Sequence, residues 1–531
     1  MTSTATDLTG TAILTRFIVR RDRVRIVVWV ASIAALVAVT AASVKGLYPT
    51  QADLDQAARA SQGNAAAIAF NGPAQGLDSV GGEVAFQAGA IGLVMVALMS
   101  LLMVGRLTRG EEETGRLELL RSLPVGSSAP TVAASLTVAA MNVAIGALVT
   151  LTLLALQQPS AGSITFGVSF TMLGLVFTCL ALVAAQISEN TRVVHGIAGA
   201  VLGASFIVRA IGDIGDGTVS WFSPIGWVQK TRPFAGERWW PFLTTIAAAA
   251  CLLVVARAFA SRRDLGGGLV QPRPGRPTAS PSLGSPLGLA VRLQRGSLLG
   301  WSSGVLLTAV AYGSIADSID DFVRDNKALA DMFTSGGGAS LTQSYLATSL
   351  RIVALLGAGF AIQSALRLRS EETLLHAEPL LATPVSRGRW AMSHLLVACG
   401  GCVVLLTLSG LGVGLSYGLV GGGIGVVPGL LADALAYVPA MWLTVGITFA
   451  LIGLLPRLVI LTWVFLAVCF VIGLLGGLLD LPGWLMDVSP FDQVPLVPAA
   501  TFRVVPLVVL GVVAFGLCWA GLIGLRRRDI G

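Results

Sequence analysis

The sequence predicts an all-α polytopic membrane protein of about twelve transmembrane helices, arranged as two parallel six-helix repeats. Three observations lead there. Of 531 residues, 54% are hydrophobic and only 12% charged. That is far below the charged share of soluble domains, so a bilayer is the natural solvent. Twelve apolar runs approach the length that crosses a hydrocarbon core. The same landmarks also recur, in one order, in both halves of the chain.

In chain order the first six runs lie near 26–45, 85–105, 131–156, 164–187, 193–212 and 239–259. The second six lie near 299–317, 346–366, 390–415, 431–455, 458–479 and 504–525. The first follows five arginines and is long enough to span and stay, so no cleavable signal peptide is read there. Basic residues set the orientation. With the N-terminus inside, inner segments hold 25 Lys and Arg and outer loops 8. The positive-inside rule then predicts a multi-pass plasma-membrane protein with both termini cytoplasmic. The formal charge of +7 is thereby a topology signal, and no nucleic-acid partner is implied. Six cysteines sit inside apolar runs; Cys399 and Cys402 form a CxxC without a second ligand pair, so neither disulfide nor metal is read. His195, His376 and His394 are scattered and suggest no metal site either. Long outer loops at 46–84 and 318–345 hold equivalent places and are expected to form a small external cap. Residues 264–287 are rich in Pro, Gly and Ser and read as a flexible linker between halves 1–263 and 288–531.

The repeat is explicit. Arg20, Arg23 and Trp29 match Arg292, Arg295 and Trp301. Glu112-Glu113-Thr114, Glu118 and Pro124-Val125 follow the second run; Glu371-Glu372-Thr373, Glu378 and Pro384-Val385 follow the eighth. Ser223-Pro224 precedes the sixth run and Ser489-Pro490 the twelfth. Arg262-Arg263-Asp264 follows the sixth, and Arg527-Arg528-Asp529 the twelfth. Offsets lie between 259 and 272, and an even number of spans per half makes the repeats parallel.

Two duplicated segments, about 109–124 and 369–384, carry the strongest functional signal. In the first, Leu117, Leu120 and Leu123 fall three apart, on one face of a short helix. Glu112, Glu113 and Glu118 give it an acidic start, which suits a helix dipole, and Pro124 ends it. The second copy offers Glu371, Glu372, Glu378, Leu381 and Pro384, with Pro379 expected to break or shorten the helix. A short amphipathic helix beside a membrane either lies on lipid or inserts into a partner. The anionic inner leaflet repels an acidic start, which favours a protein partner.

Glu113-Thr114-Gly115-Arg116-Leu117-Glu118-Leu119-Leu120, followed by Pro124-Val125, resembles the signature of ABC-2-type transporter permeases. The duplicated twelve-span form, with Arg-Arg-Asp-Leu-Gly after the sixth span, is similar to actinobacterial polyketide or tetronasin-type antibiotic exporter membrane subunits. The resemblance implies a type V (ABCG-like) ABC exporter fold around one central cavity, lined by spans two, five, eight and eleven. It implies that the duplicated segments are coupling helices docking onto two copies of a soluble ABC ATPase subunit. It further implies export of small hydrophobic or amphipathic compounds such as antibiotics, drugs or lipids. ATP and Mg would be bound by the partner subunits, with no cofactor in this chain. Outer half-helices are implied in the Ser-Pro segments 213–238 and 480–503, making Ser223, Pro224, Trp227, Ser489 and Pro490 candidates for an outer gate. The second copy keeps the family's Ser-Arg as Ser386-Arg387, the first has Gly126-Ser127, and Gly115 is set against Leu374, so the halves are expected to be unequal.

Consistent with a separate motor, the only lysines are Lys45, Lys230 and Lys327, and none lies in a P-loop. No catalytic residue is therefore assigned, and the chain is not expected to be an enzyme. The alternative is a proton-driven major-facilitator-type drug transporter, whose loop Gly105-Arg106-Leu107 weakly resembles; against it, the motif lacks its Asp and the first outer loop is too long. A non-transporting scaffold is a third reading. Arg209 and Arg351 fall inside runs, nearer the outer face. They either meet an acidic substrate on the pathway, pair with Asp213, Asp216 or Asp433, or snorkel to the interface. Gly410, Gly414, Gly418 and Gly422 read as a helix-packing face.

Overall fold

The computed structural model describes residues 7–62, 65–117, 122–263, 267–270, 277–316, 340–475 and 482–528. Among them the regular structure is helical throughout. Among the described residues, eleven helices are long and apolar enough to cross a membrane, and a shorter apolar one stands where the eleventh span was expected. The chain divides into two compact units, Met1–Pro274 and Gly275–Gly531, a boundary inside the Pro-, Gly- and Ser-rich stretch.

In the first unit, α1 (Thr11–Leu47) has 37 residues. That is roughly 55 Å of helix against a hydrocarbon core of roughly 30 Å, because the arginine-rich stretch before the apolar run is helical too. Within the stretch expected to be the first outer loop lie two short helices, α2 (Gln51–Gln62) and α3 (Ala65–Asn71). Ser79 caps α4 (Val80–Leu107), its hydroxyl accepting from the Gly82 amide at 3.1 Å, and α4 runs on into α5 (Arg109–Glu113). Then follow α6 (Ala129–Ala155), α7 (Ser160–Ile187), α8 (Thr191–Ile214), the short α9 (Pro224–Gln229) and α10 (Pro241–Ala260). The second span is the axis of the unit: 72% of its apolar window is buried, against 17% for α1 and α10. Asn142 on α6 joins Ser100 on α4 at 3.1 Å and Thr178 on α7 at 3.2 Å, tying three helices inside the apolar bundle.

In the second unit, α11 (Pro286–Ile315) is followed by α12 (Leu341–Thr373), opened by a Ser340–Gln343 capping box. Next come α13 (Ala377–Leu381), α14 (Arg387–Tyr417), α15 (Val427–Leu435), α16 (Val438–Leu454), α17 (Leu461–Leu475), α18 (Gly483–Met486) and α19 (Val504–Arg527). Again the second span is the most enclosed, with 78% of its window buried. The expected span 431–455 is split into α15 and α16, with Pro439 in the first turn of α16. Fifteen residues make α17 roughly 22 Å long; the end of its predicted run, like most of outer loop 318–345, lies outside the described residues. Along α19, Val505, Val509, Val512, Phe515 and Trp519 are exposed on a helical stripe, a surface suited to lipid.

The glycine quartet is only half a packing face. A side chain on Gly410 or Gly414 would press on the α15 backbone, 2.7 Å from Leu431 Cα or 3.2 Å from Val427 Cα. Gly418 and Gly422 instead lie in a π-helical stretch, Gly418–Gly422, that continues α14 past its contact with α15. A tighter crossing joins α16 to α19: a Cβ on Gly453 would lie 2.1 Å from the Gly521 carbonyl oxygen.

Candidate functional site at the two elbows

The duplicated segments fold as elbows at the ends of the two most enclosed helices. The second is a Schellman turn. The Leu375 amide donates to Glu372 O at 3.0 Å and the His376 amide to Glu371 O at 2.9 Å. Leu375 itself has φ +60°. In the first elbow, Gly115 has φ +69° and its amide donates to Glu112 O at 3.0 Å. The turn before the exit also repeats: Val125 N to Leu123 O is 2.7 Å, and Val385 N to Thr383 O is 2.6 Å. One constant offset of 260 relates all of these. The expected match of Glu112-Glu113-Thr114 with Glu371-Glu372-Thr373 therefore shifts by one residue. Glu111 and Glu112 answer to Glu371 and Glu372, Thr373 stands in the place of Glu113, and the counterpart of Gly115 is Leu375, not Leu374.

Each acid of the first elbow is held by a different element. Glu111 pairs with Arg21 of α1 at 2.9 Å. Glu112 receives Arg109 at 2.7 Å and both arms of Arg263, just past α10, at 2.9 and 3.1 Å. Glu113 accepts from the Thr191 amide at 2.6 Å, at the N-terminus of α8, where the helix dipole favours an anion. The arginines reach further. Arg109 Nε donates to Ala185 O near the C-terminus of α7, and Arg263 Nε donates to Gln186 Oε1 at 2.6 Å. Both donate to Gly267 O, at 3.0 and 2.9 Å. Leu269 and Val270 amides then bond Gln186 O and Ile187 O, each at 3.0 Å. Residues 267–270, within the expected flexible linker, are thus bound to the end of α7, whose terminal carbonyls need donors.

The second elbow repeats the central fork with fewer ties. Glu372 receives Arg369 at 2.8 Å and Arg528, just past α19. Arg528 also donates to Ile452 O near the end of α16 at 3.3 Å, and its own carbonyl accepts from Arg387 at 2.8 Å. Glu371 is bound locally, by Arg367 at 2.5 Å and His376 at 3.5 Å. Where Asp22 of α1 gathers Arg21, Arg25 and Arg106 within 3.1 Å, the equivalent Gln294 meets Ser364 and, at 3.4 Å, His394. Both elbows are pinned by ion pairs, and only this neighbouring cluster changes from charged in the first unit to neutral in the second.

The hydrophobic side chains of the elbows divide. Leu117 is buried and Leu381 packs against the core. Leu123 is 56% exposed, so it does not share a face with Leu117 as the spacing suggested. Leu374 and Leu375 are exposed as well, at 55% and 56%. Glu118 and Leu120 lie outside the described residues. Glu378, Pro124 and Pro384 are exposed. Pro379 does not break α13; it occupies the first turn, where no amide is required. A cleft of about 490 Å³, open mouth included, lies beside the first elbow between Leu14, Phe17, Arg21, Glu111, Leu117 and Pro130.

On the opposite face, both in-span arginines are internally bound. Arg209 is fully buried beside Asp213 at 3.6 Å, with its guanidinium 4.4 Å over the Phe206 ring. It donates to Ile68 O at 3.4 Å and Phe70 O at 3.1 Å, docking the end of α3. Burial rules out snorkelling for Arg209. Arg351 pairs with Asp492 at 2.8 Å and donates to Gly473 O at 2.8 Å; Asp433, named from sequence, is not the partner. Ser223 caps α9 through the Gly226 amide at 3.4 Å and donates to Ser205 O of α8 at 2.7 Å. Trp227 donates to Trp221 O at 2.5 Å. Pro224 opens α9, whereas buried Ser489 and Pro490 stand in an irregular turn after α18. Among the described residues, no group of three His, Cys, Asp or Glu is arranged to hold a metal.

Sequence reading missed the arginines that answer the elbow acids. The repeated Arg-Arg-Asp after each last span was visible, but its distance from the elbow hid the pairing. Two similarities bear on what the elbows serve. Residues 283–526 match the family described as the multidrug efflux system permease Rv1217c, C-terminal domain. Over 525 residues the chain is 41% identical to the multidrug efflux system permease protein Rv1217c of Mycobacterium tuberculosis (strain ATCC 25618 / H37Rv), covering 98% of this chain and 95% of that one.

Proposed function

Because the chain belongs to the family of the multidrug efflux system permease Rv1217c, we propose that it is the membrane-spanning subunit of an ATP-driven exporter of hydrophobic or amphipathic compounds. The ATP-binding subunits are separate, and the two elbows are where they dock. Both termini and both elbows are cytoplasmic, as the distribution of Lys and Arg implies. The chain contributes no catalytic group; two copies of a soluble ATPase bind ATP and Mg. The halves carry the type V exporter arrangement that the resemblance implies.

One observation carries the reading. At each elbow, exposed leucines stand on a turn beyond the end of a spanning helix: Leu123 on one, Leu374 and Leu375 on the other. Exposed leucines on a tightly tied turn suit insertion into a partner groove. The cleft beside Leu117 and Glu111 gives the first elbow a receiving surface as well. Neither the relative nor the elbow geometry supports the major-facilitator alternative.

The test is purification of the full chain from its native membrane. An ABC ATPase subunit co-purifies, and a hydrophobic dye stimulates its hydrolysis. Replacing Leu123 and Leu375 with Asp leaves the permease inserted but strips the ATPase from it. A preparation without ATPase, whose dye efflux collapses with the proton gradient, overturns the proposal.

A further inference from the structure

We propose that Arg263 and Arg528 are positioning residues. Each locks the elbow of its own half to the ends of the fourth and last spans, so that the three move as one piece. The proposal rests on the reading of the elbows as drive points. It adds which other helices a push on the elbow reaches.

The geometry is duplicated. In both units an arginine within three residues of the end of the last long helix turns back onto the second acid of the elbow, Glu112 or Glu372. In both, an elbow arginine three residues before that acid joins from the other side, Arg109 at 2.7 Å and Arg369 at 2.8 Å. Both clusters reach the C-terminal end of the fourth span: through Arg109 to Ala185 O and Arg263 to Gln186 Oε1 in the first unit, and through Arg528 to Ile452 O in the second. Surrounding contacts have diverged, as Asp22 against Gln294 shows, yet the fork persists. Its acids are nearly enclosed, with 10% and 7% of their side chains exposed.

Arg263 grips both oxygens of Glu112, and Arg528 gives one arm to Glu372 and the other to Ile452 O; such charged hydrogen bonds are directional as well as attractive, so they fix orientation and not distance alone. The elbow otherwise hinges on one left-handed residue, Gly115 or Leu375. A push from a partner would be absorbed by rotation there. With these bonds closed, the same push reaches the last span through Arg263 or Arg528, and the fourth through Gln186 and Ala185 O in the first unit and Ile452 O in the second. Arg387 adds the third span in the second unit by donating to Arg528 O at 2.8 Å.

The experiment uses the full chain in nanodiscs, alone and with its co-purified ATPase, as wild type and with Arg263→Gln, Arg528→Gln, Arg263→Lys and Arg528→Lys. Three quantities are read: hydrogen exchange in the elbow peptides, ATPase co-purification, and dye exported per ATP hydrolysed. Each Gln variant speeds exchange of its own elbow at least about tenfold, since a nearly buried carboxylate loses a paired charge. Exchange in α6 and α14 stays as in wild type, ATPase still co-purifies, and dye exported per ATP falls at least about fivefold, the loss of preorganised transmission. The Lys variants, which keep charge but not the fork, fall between. Unchanged elbow exchange overturns the proposal. So does exchange that rises across the whole unit, which makes the pair a general stabiliser, and so does a loosened elbow with undiminished export per ATP. If no ATPase binds even the wild type, the drive-point reading fails by itself, while elbow exchange still decides whether the lock exists.

Discussion

Leu375→Gly stabilises the second elbow. Leucine at φ +60° is in the left-handed region, which costs about 1–2 kcal/mol for an L-residue. At 56% exposure the side chain gives up little burial when removed. Glycine returns up to about 1 kcal/mol as extra freedom in the unfolded chain. The net gain is about 0.5–1 kcal/mol, or roughly two- to fivefold in the local opening equilibrium. The amides to watch are those of residue 375 and His376, which donate to Glu372 O and Glu371 O. Hydrogen exchange at 371–378 slows by that factor, while thermal midpoints of the whole protein barely move. The first elbow supplies the mirror test. Among the described residues nothing lies within 4 Å of a Cβ placed on Gly115, so Gly115→Ala meets the backbone cost, about 1 kcal/mol, and exchange there quickens. Faster exchange in Leu375→Gly refutes the reasoning. A strained leucine where glycine would serve suggests that the exposed side chain is kept for contact, as strained residues often are at functional sites. The more rigid Leu375→Gly elbow is then expected to recruit its ATPase less well.

Further outcomes follow from the opposite face and the helix crossings. Arg351→Leu strands Asp492, whose side chain is 8% exposed, and lowers unfolding stability by about 3–5 kcal/mol; Arg351→Leu with Asp492→Leu recovers most of it, as thermal unfolding in detergent reads. Arg209→Ala frees the end of α3 from its donor, so proteolysis within 51–71 rises while α4 stays protected. Ser223→Ala removes the cap of α9 and its bond to Ser205 O and costs about 1 kcal/mol in unfolding stability. Gly453→Leu drives a side chain into the α19 backbone at Gly521 and abolishes the folded protein in detergent, as size-exclusion profiles show.

Much of the architecture was legible because hydropathy and length are local properties. Apolar runs found the spanning helices, while α15–α16 and the short α17 broke the pattern where Pro439 and a turn intervene. The elbows were legible as duplicated motifs, but not their register. Three consecutive glutamates facing two permit alignments one residue apart; the offset of 260 at Glu118–Glu378 and Pro124–Pro384 favours one, and the left-handed positions Gly115 and Leu375 fix it. The roles of the acids were also hidden. A solvent-facing docking charge and a buried fork look alike in sequence, since the difference lies in Arg263 and Arg528, more than 150 residues away. Arg209 and Arg351 show the same limit. Their cost inside apolar runs was visible, and so was Asp213 as a partner for Arg209, whereas the α3 carbonyls and Asp492 were not.

The most direct test of the account is dye export by the reconstituted permease and its ATPase in proteoliposomes, with ATP and a proton gradient supplied separately. The account predicts export with ATP alone, undiminished by a protonophore, and lost when Leu123 and Leu375 are replaced with Asp. Export that needs the gradient and ignores ATP contradicts it.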